Sequence, residues 1–167
     1  RQPRNSGSRK ARRDCRTAAL AFLGRRAHPR RELERKLLRA GHEAAEVART
    51  LDLLAGAGLL DEAATAVELA RTEASRGRGN RRVSASLRAR GVGEKDAARA
   101  VAGVGGEDES ARLRAALAKK SRSLGGGLTP VSRSRKLFDH LVRRGFDPGA
   151  VRDALREKGD PTDDDPI

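Results

Sequence analysis

An all-α fold is what this 167-residue chain predicts, and three observations carry that reading. The hydrophobic share is 37%, below the roughly 45–50% of an ordinary globular chain, and much of it is Ala and Leu, which favour helix. The aromatic share is 2%, with three Phe and no Trp or Tyr, and β-branched residues are scarce, so little is left to build a sheet. Finally, a helix–Gly–helix unit recurs around Gly41, Gly91 and Gly145.

Aligning the chain on those glycines justifies the elements in turn. Four residues before each stands Leu37, Leu87 or Leu141, and eight before stands Leu33, Val83 or Leu137, the spacing of one helical face. Ten before stands Arg31, Arg81 or Arg135. Six after comes Val47, Ala97 or Val151, and ten after comes Leu51, Val101 or Leu155, again one face. Each glycine suits the left-handed residue that ends a helix, and Glu43, Glu94 or Pro148 suits the first turn of the next. A further helical stretch precedes each unit, over residues 16–24, 61–75 and 107–121. The result is three tandem three-helix, helix-turn-helix-like modules, 16–57, 58–104 and 105–159, in an elongated, curved array. Gly56, Gly58, Gly103, Gly105 and Gly106 mark the joints, and residues 125–127 a flexible loop in the third module. Residues 1–15 read as a disordered basic arm and residues 160–167 as a disordered acidic tail of net charge −4.

Charge points to the partner. Lys and Arg number 37 against 23 Asp and Glu, a formal +14, so a polyanionic or acidic partner is expected rather than a neutral metabolite. Without aromatic rings to stack unpaired bases, any nucleic-acid contact falls mainly on phosphate. The basic charge gathers on the second helix of each module: residues 29–40 carry +3, 76–90 carry +6 and 131–144 carry +4, whereas 61–75 carry −3. The strip comprises Arg31, Arg35, Lys36 and Arg39 in the first module, Arg76, Arg78, Arg81, Arg82 and Arg88 in the second, and Arg133, Arg135, Arg143 and Arg144 in the third. The second is expected to dominate, having no acidic residue within its segment, and Gly77 and Gly79 would let backbone approach a phosphate or carboxylate. Charges that merely solvate an outer face would show mixed signs.

Catalytic chemistry is not expected. His28, His42 and His140 occupy unlike positions of the three modules, with no repeated ligand spacing, and read as surface histidines; no metal and no cofactor are expected. Residues 125–130 are Gly-rich but lack the Gly-Lys-Ser/Thr ending that cradles phosphates. Asp163, Asp164 and Asp165 lack the rest of a calcium loop. The single Cys15, placed in the basic arm and without a resolving partner, fits a reducing compartment, and the cytoplasm is the expected location. The longest apolar run, residues 18–23, falls far short of the roughly 20 residues that span a bilayer, so neither membrane anchor nor signal peptide is expected.

The pattern resembles the RecX family, bacterial regulators of the recombinase RecA, over roughly residues 16–158. The resemblance rests on Glu32-Leu33-Glu34-Arg35-Lys36-Leu37-Leu38-Arg39-Ala40-Gly41, then Leu51 through Leu54, then Gly58-Leu59-Leu60-Asp61-Glu62. Ser75-Arg76-Gly77-Arg78-Gly79-Asn80-Arg81-Arg82-Val83 with Leu87 and Gly91-Val92 is similar to that family's second basic helix, and Arg143-Arg144-Gly145-Phe146 to its third. Thr65-Ala66 stands where the family usually carries Phe-Ala, so the core there must be repacked. The resemblance implies a non-catalytic monomer that lodges in the groove of a RecA filament on single-stranded DNA. It would reduce ATP hydrolysis, strand exchange and coprotease activity, touching DNA weakly or through the filament. A sequence-tolerant DNA-binding or architectural protein acting through phosphate contacts is the competing expectation.

Overall fold

A computed structural model describes residues 14–104, 107–125 and 127–159, although the side chains of residues 107 and 108 are not described. The expected basic arm, apart from its last two residues, the acidic tail, and residues 105, 106 and 126 of the expected joints and loop lie outside these. Among the described residues there are nine helices and no strand: α1 Cys15–Leu23, α2 Arg30–Arg39, α3 Ala44–Gly56, α4 Glu62–Ser75, α5 Asn80–Arg90, α6 Glu94–Gly103, α7 Glu107–Ser123, α8 Pro130–Arg143 and α9 Pro148–Glu157. They fall into two compact units, residues 1–60 and 61–167.

Local chemistry starts these helices. Asp14 accepts from the Thr17 amide at 2.7 Å, Asp61 from Ala64 at 2.9 Å, and Asp147 from Gly149 and Ala150 at 2.9 and 3.3 Å. Each carboxylate satisfies N–H groups that the first turn leaves orphaned. Pro130 and Pro148 open α8 and α9, where a missing N–H costs nothing.

The three repeated glycines end the second helices alike. Gly41, Gly91 and Gly145 have φ of 85°, 95° and 90°, a region that only glycine enters without strain. The following amides of His42, Val92 and Phe146 reach back to the carbonyls of Leu37, Leu87 and Leu141 at 3.2, 3.1 and 3.3 Å. This six-residue closure satisfies the last carbonyls and turns the chain into the third helix.

In the first unit α1, α2 and α3 enclose Cys15, Ala19, Leu33, Leu37, Val47, Leu51 and Leu54. Cys15 therefore departs from the expected arm: it is the first residue of α1 and is 1% exposed, acting as a small apolar core residue. In the second unit, α4–α6 form a core rich in alanine, with Ala66, Ala70, Ala74, Ala97 and Ala100 beside Leu69, Val83 and Leu87. Thr65 is buried here, in keeping with a core packed around small side chains. Ala100 turns inward and Val101 is only half-buried, a one-residue shift from the repeat's spacing. Helices α7–α9 enclose Leu113, Leu117, Leu137, Leu141, Phe146, Val151 and Leu155.

Helices α4–α6 and α7–α9 are locked together by backbone. Gly79 donates to the Arg144 carbonyl at 2.9 Å and Arg81 to that of Gly145 at 3.1 Å. The Asn80 amide donates to the Glu109 carboxylate at 2.7 Å, and Arg112 donates to Asn80 Oδ1 and to the Val104 carbonyl.

Candidate basic interface

On α2 the inward residues are Leu33 and Leu37, and Arg31, Arg35 and Arg39 lie about 200° around from them, all exposed. Lys36 is half-buried, its ammonium 5.0 Å from the Phe22 ring centre and 3.8 Å from Glu32. On α8, Arg135 and Arg143 are exposed opposite Leu137 and Leu141. On α5, Arg81 and Arg82 are exposed, Arg81 standing 3.5 Å from Asp147, and Arg88 donates to Glu94 at 3.1 Å. The repeat-equivalent Arg31, Arg81 and Arg135 are thus all exposed on the outer face of a second helix.

Four arginines of the expected strip do something else. Arg76 and Arg78 precede α5 rather than lie on it, in the turn after α4. Both pair with the buried Glu73, Arg76 at 2.9 Å, so the second module's charge is offset by an acid one turn upstream. Arg133 donates to the Ser121 carbonyl at 2.9 Å. Arg144 caps α8 and forks onto two carbonyls, Gly77 at 2.9 Å and Arg76 at 2.5 Å. The backbone at Gly77 and Gly79 is approached closely, as expected, but by the chain itself. An added Cβ at Gly79 would meet the Gly145 carbonyl carbon at 2.3 Å, and one at Gly77 would meet the Arg144 guanidinium at 3.1 Å.

The histidines are not the surface residues that their positions suggested. His28 is 2% exposed, edge-on to Phe22 and 3.2 Å from Glu32. Burial, followed by the charges of Arg26 and Lys36, holds its pKa below the ordinary value, against the pull of Glu32. His42 is buried at the α2–α3 turn, 3.8 Å from Glu46. The donor atoms of Cys15, His42 and Glu46 lie within 4.8 Å of one another, a grouping from α1, the α2–α3 turn and α3 in which only His42 and Glu46 stand at helical spacing. His140 is half-buried, and its pKa is lowered by burial first and then by Lys120, Arg144 and Arg143.

A second basic surface was missed. A cleft between α4 and α7 is lined by Arg71, Arg76, Arg112, Lys119, Lys120 and Arg144, with His140 beside them. The signal was present in α7, where Ala111, Arg112, Ala115, Ala116, Lys119 and Lys120 repeat at helical spacing on one face while Leu113 and Leu117 turn into the core. No helix among the described residues is long and apolar enough to cross a membrane.

Among the described residues, nine helices in three-helix groups, each second helix closed by a left-handed glycine and faced with arginine, define a class: an all-helical protein of tandem three-helix modules with a basic exterior. The chain belongs to the RecX family of regulatory proteins. The model of the RecX first three-helix domain matches residues 15–54, and that of the third matches residues 107–155. The chain is 40% identical over 141 residues to the regulatory protein RecX of Halorhodospira halophila, covering 83% of this chain and 84% of that one. It is 36% identical over 137 residues to the regulatory protein RecX of Chromohalobacter salexigens, covering 82% and 88%. In fold it is similar to the crystal structure of RecX from Lactobacillus salivarius, with a TM-score of 0.74 at 17% identity, covering 86% of this chain and 93% of that one.

Proposed function

We propose that this chain is a non-catalytic regulator that binds the RecA nucleoprotein filament and lowers its ATPase, strand-exchange and coprotease activities, acting as a cytoplasmic monomer without a cofactor. The observation that carries the reading is the exposure of Arg31, Arg81 and Arg135 at the same position of three successive modules. A partner that repeats an acidic surface or phosphates offers each module a contact of its own. Joining weak sites in one chain then raises the effective concentration at each next site. Guanidinium forks suit carboxylate and phosphate equally, so both protein and DNA of a filament are served by the same side chains. Family membership supports a regulatory role, and the exposure of these arginines supports their use as a contact surface.

The test is ATP hydrolysis by RecA on single-stranded DNA, with and without the full chain at low salt. Inhibition is expected. Replacing Arg81 and Arg82 by Glu should weaken both inhibition and filament binding while the helical circular dichroism signal persists. No change in hydrolysis and no filament binding by the unaltered chain would sink the reading.

A further inference from the structure

The cleft between α4 and α7 contains none of Arg31, Arg81 and Arg135, although His140 of α8 and Arg144 at its end also line it. It has a volume of about 810 Å³, and no described carboxylate lines it. Two kinds of side chain meet there. Ala74, Ala111, Ala115 and Ala116 are small enough to let a helix backbone come close, and Arg71, Lys119 and Lys120 supply positive charge beside them. Arg112 and Arg144 are held by hydrogen bonds to neutral acceptors rather than to carboxylates, and the buried Nε of Arg112 has no partner. Arg76 is different, because Glu73 already pairs with it. The pKa of His140 is lowered by burial first and then by Lys120, Arg144 and Arg143, in keeping with the positive charge gathered there.

We propose that this cleft docks an acidic amphipathic helix of the partner protein, its apolar stripe on the alanines of α4 and α7 and its carboxylates on Arg71, Lys119 and Lys120. Nucleic acid fits less well, since no Phe, Tyr or Trp lines the cleft to stack an unpaired base and its one ring, that of His140, is half-buried. A helix with one apolar and one acidic face matches both halves of the lining. The inference rests on the reading that the partner is a protein filament, and it adds a contact that single-stranded DNA alone cannot provide.

Two variants of the full chain test it. Ala115→Phe fills the cleft at an exposed position without changing charge, and Lys119→Gln with Lys120→Gln removes charge without adding bulk. Binding is measured on the RecA filament, on a bare oligothymidylate, and on a labelled twenty-residue peptide of Glu, Ala and Leu patterned as an amphipathic helix. Both variants should weaken filament and peptide binding by about tenfold, equivalent to about 1.4 kcal/mol. Ala115→Phe should leave oligothymidylate binding unchanged. Equal filament binding by the unaltered chain and Ala115→Phe overturns the proposal and leaves the regulator reading standing. Parallel loss on filament and oligothymidylate also overturns it, assigning the cleft to nucleic acid. If the unaltered chain ignores the filament, the regulator reading fails, and the peptide alone decides the cleft: binding that Ala115→Phe abolishes supports it, and no binding overturns it.

Discussion

Arg144 and His28 show how a residue's role is set by what surrounds it. Arg144 belongs to a run of basic residues, yet its guanidinium is spent on the carbonyls of Gly77 and Arg76, sixty-seven and sixty-eight residues away in the chain. His28 is buried against Phe22 in a neighbourhood of Arg26 and Lys36, and His140 sits among Lys120, Arg143 and Arg144. Both imidazoles are therefore harder to protonate in the folded chain than in the unfolded one, whose histidines titrate near 6.5. As pH falls through that value the unfolded state takes up protons first, so stability decreases until the lowered folded-state pKa is passed. The urea midpoint should be flat from about pH 8 to 7 and fall as pH drops below about 6.5. His28→Gln and His140→Gln should each flatten the profile. An unaltered slope in both variants would refute this assignment.

At the scale of elements, the turn closing α8 and the start of α5 are built as one joint. Gly145 takes a φ of 90° to end α8, and its missing side chain leaves room for Arg82, whose Cβ would stand 2.3 Å from an added Cβ. Gly79 faces the same turn from the other side, and the obstructing atoms at 2.3 Å are backbone, which cannot rotate aside. Gly79→Ala should therefore destabilise the chain by about 1–3 kcal/mol, as overpacking does in a tight interior. Amide exchange at Gly79 and Arg81 should quicken because their acceptors are in the displaced turn. Gly56, at the end of α3 with open space around it, is the control: Gly56→Ala should be neutral or stabilising by up to about 1 kcal/mol, since alanine is the better helix former. An equal urea midpoint for Gly79→Ala and the unaltered chain would mean that the joint yields.

For the whole molecule, a net charge of +14 sets how binding responds to salt. Direct neutralisation of single-stranded DNA lowers log K by about 0.7 per phosphate for each decade of salt. Protein contacts add affinity without releasing condensed counterions, and Leu38, Leu53 and Val131 are exposed apolar residues that could make them. Binding to the filament should therefore be tighter than binding to bare DNA and show a shallower salt slope. Equal affinities with equally steep slopes would favour a plain phosphate-binding protein.

Helices, their apolar faces and their glycine ends were legible in the chain because each depends on neighbours within about two turns. Leu33 and Leu37, Val83 and Leu87, Leu137 and Leu141 are buried as their spacing demands, and Gly41, Gly91 and Gly145 take positive φ where a helix had to stop. The exposed faces of Arg31, Arg81 and Arg135 follow from the same period. Contacts between segments far apart were not legible. Nothing local announces that Glu109 receives the Asn80 amide, that Arg144 reaches Gly77, or that Cys15, His42 and Glu46 converge. A run of charges records only which residues carry charge, whereas packing chooses which of them a carbonyl or a buried carboxylate consumes. Tertiary structure thus engaged Arg76, Arg78, Arg133 and Arg144 with intramolecular partners and opened the α4–α7 cleft, because buried groups such as the Glu73 carboxylate must be satisfied wherever the fold places them.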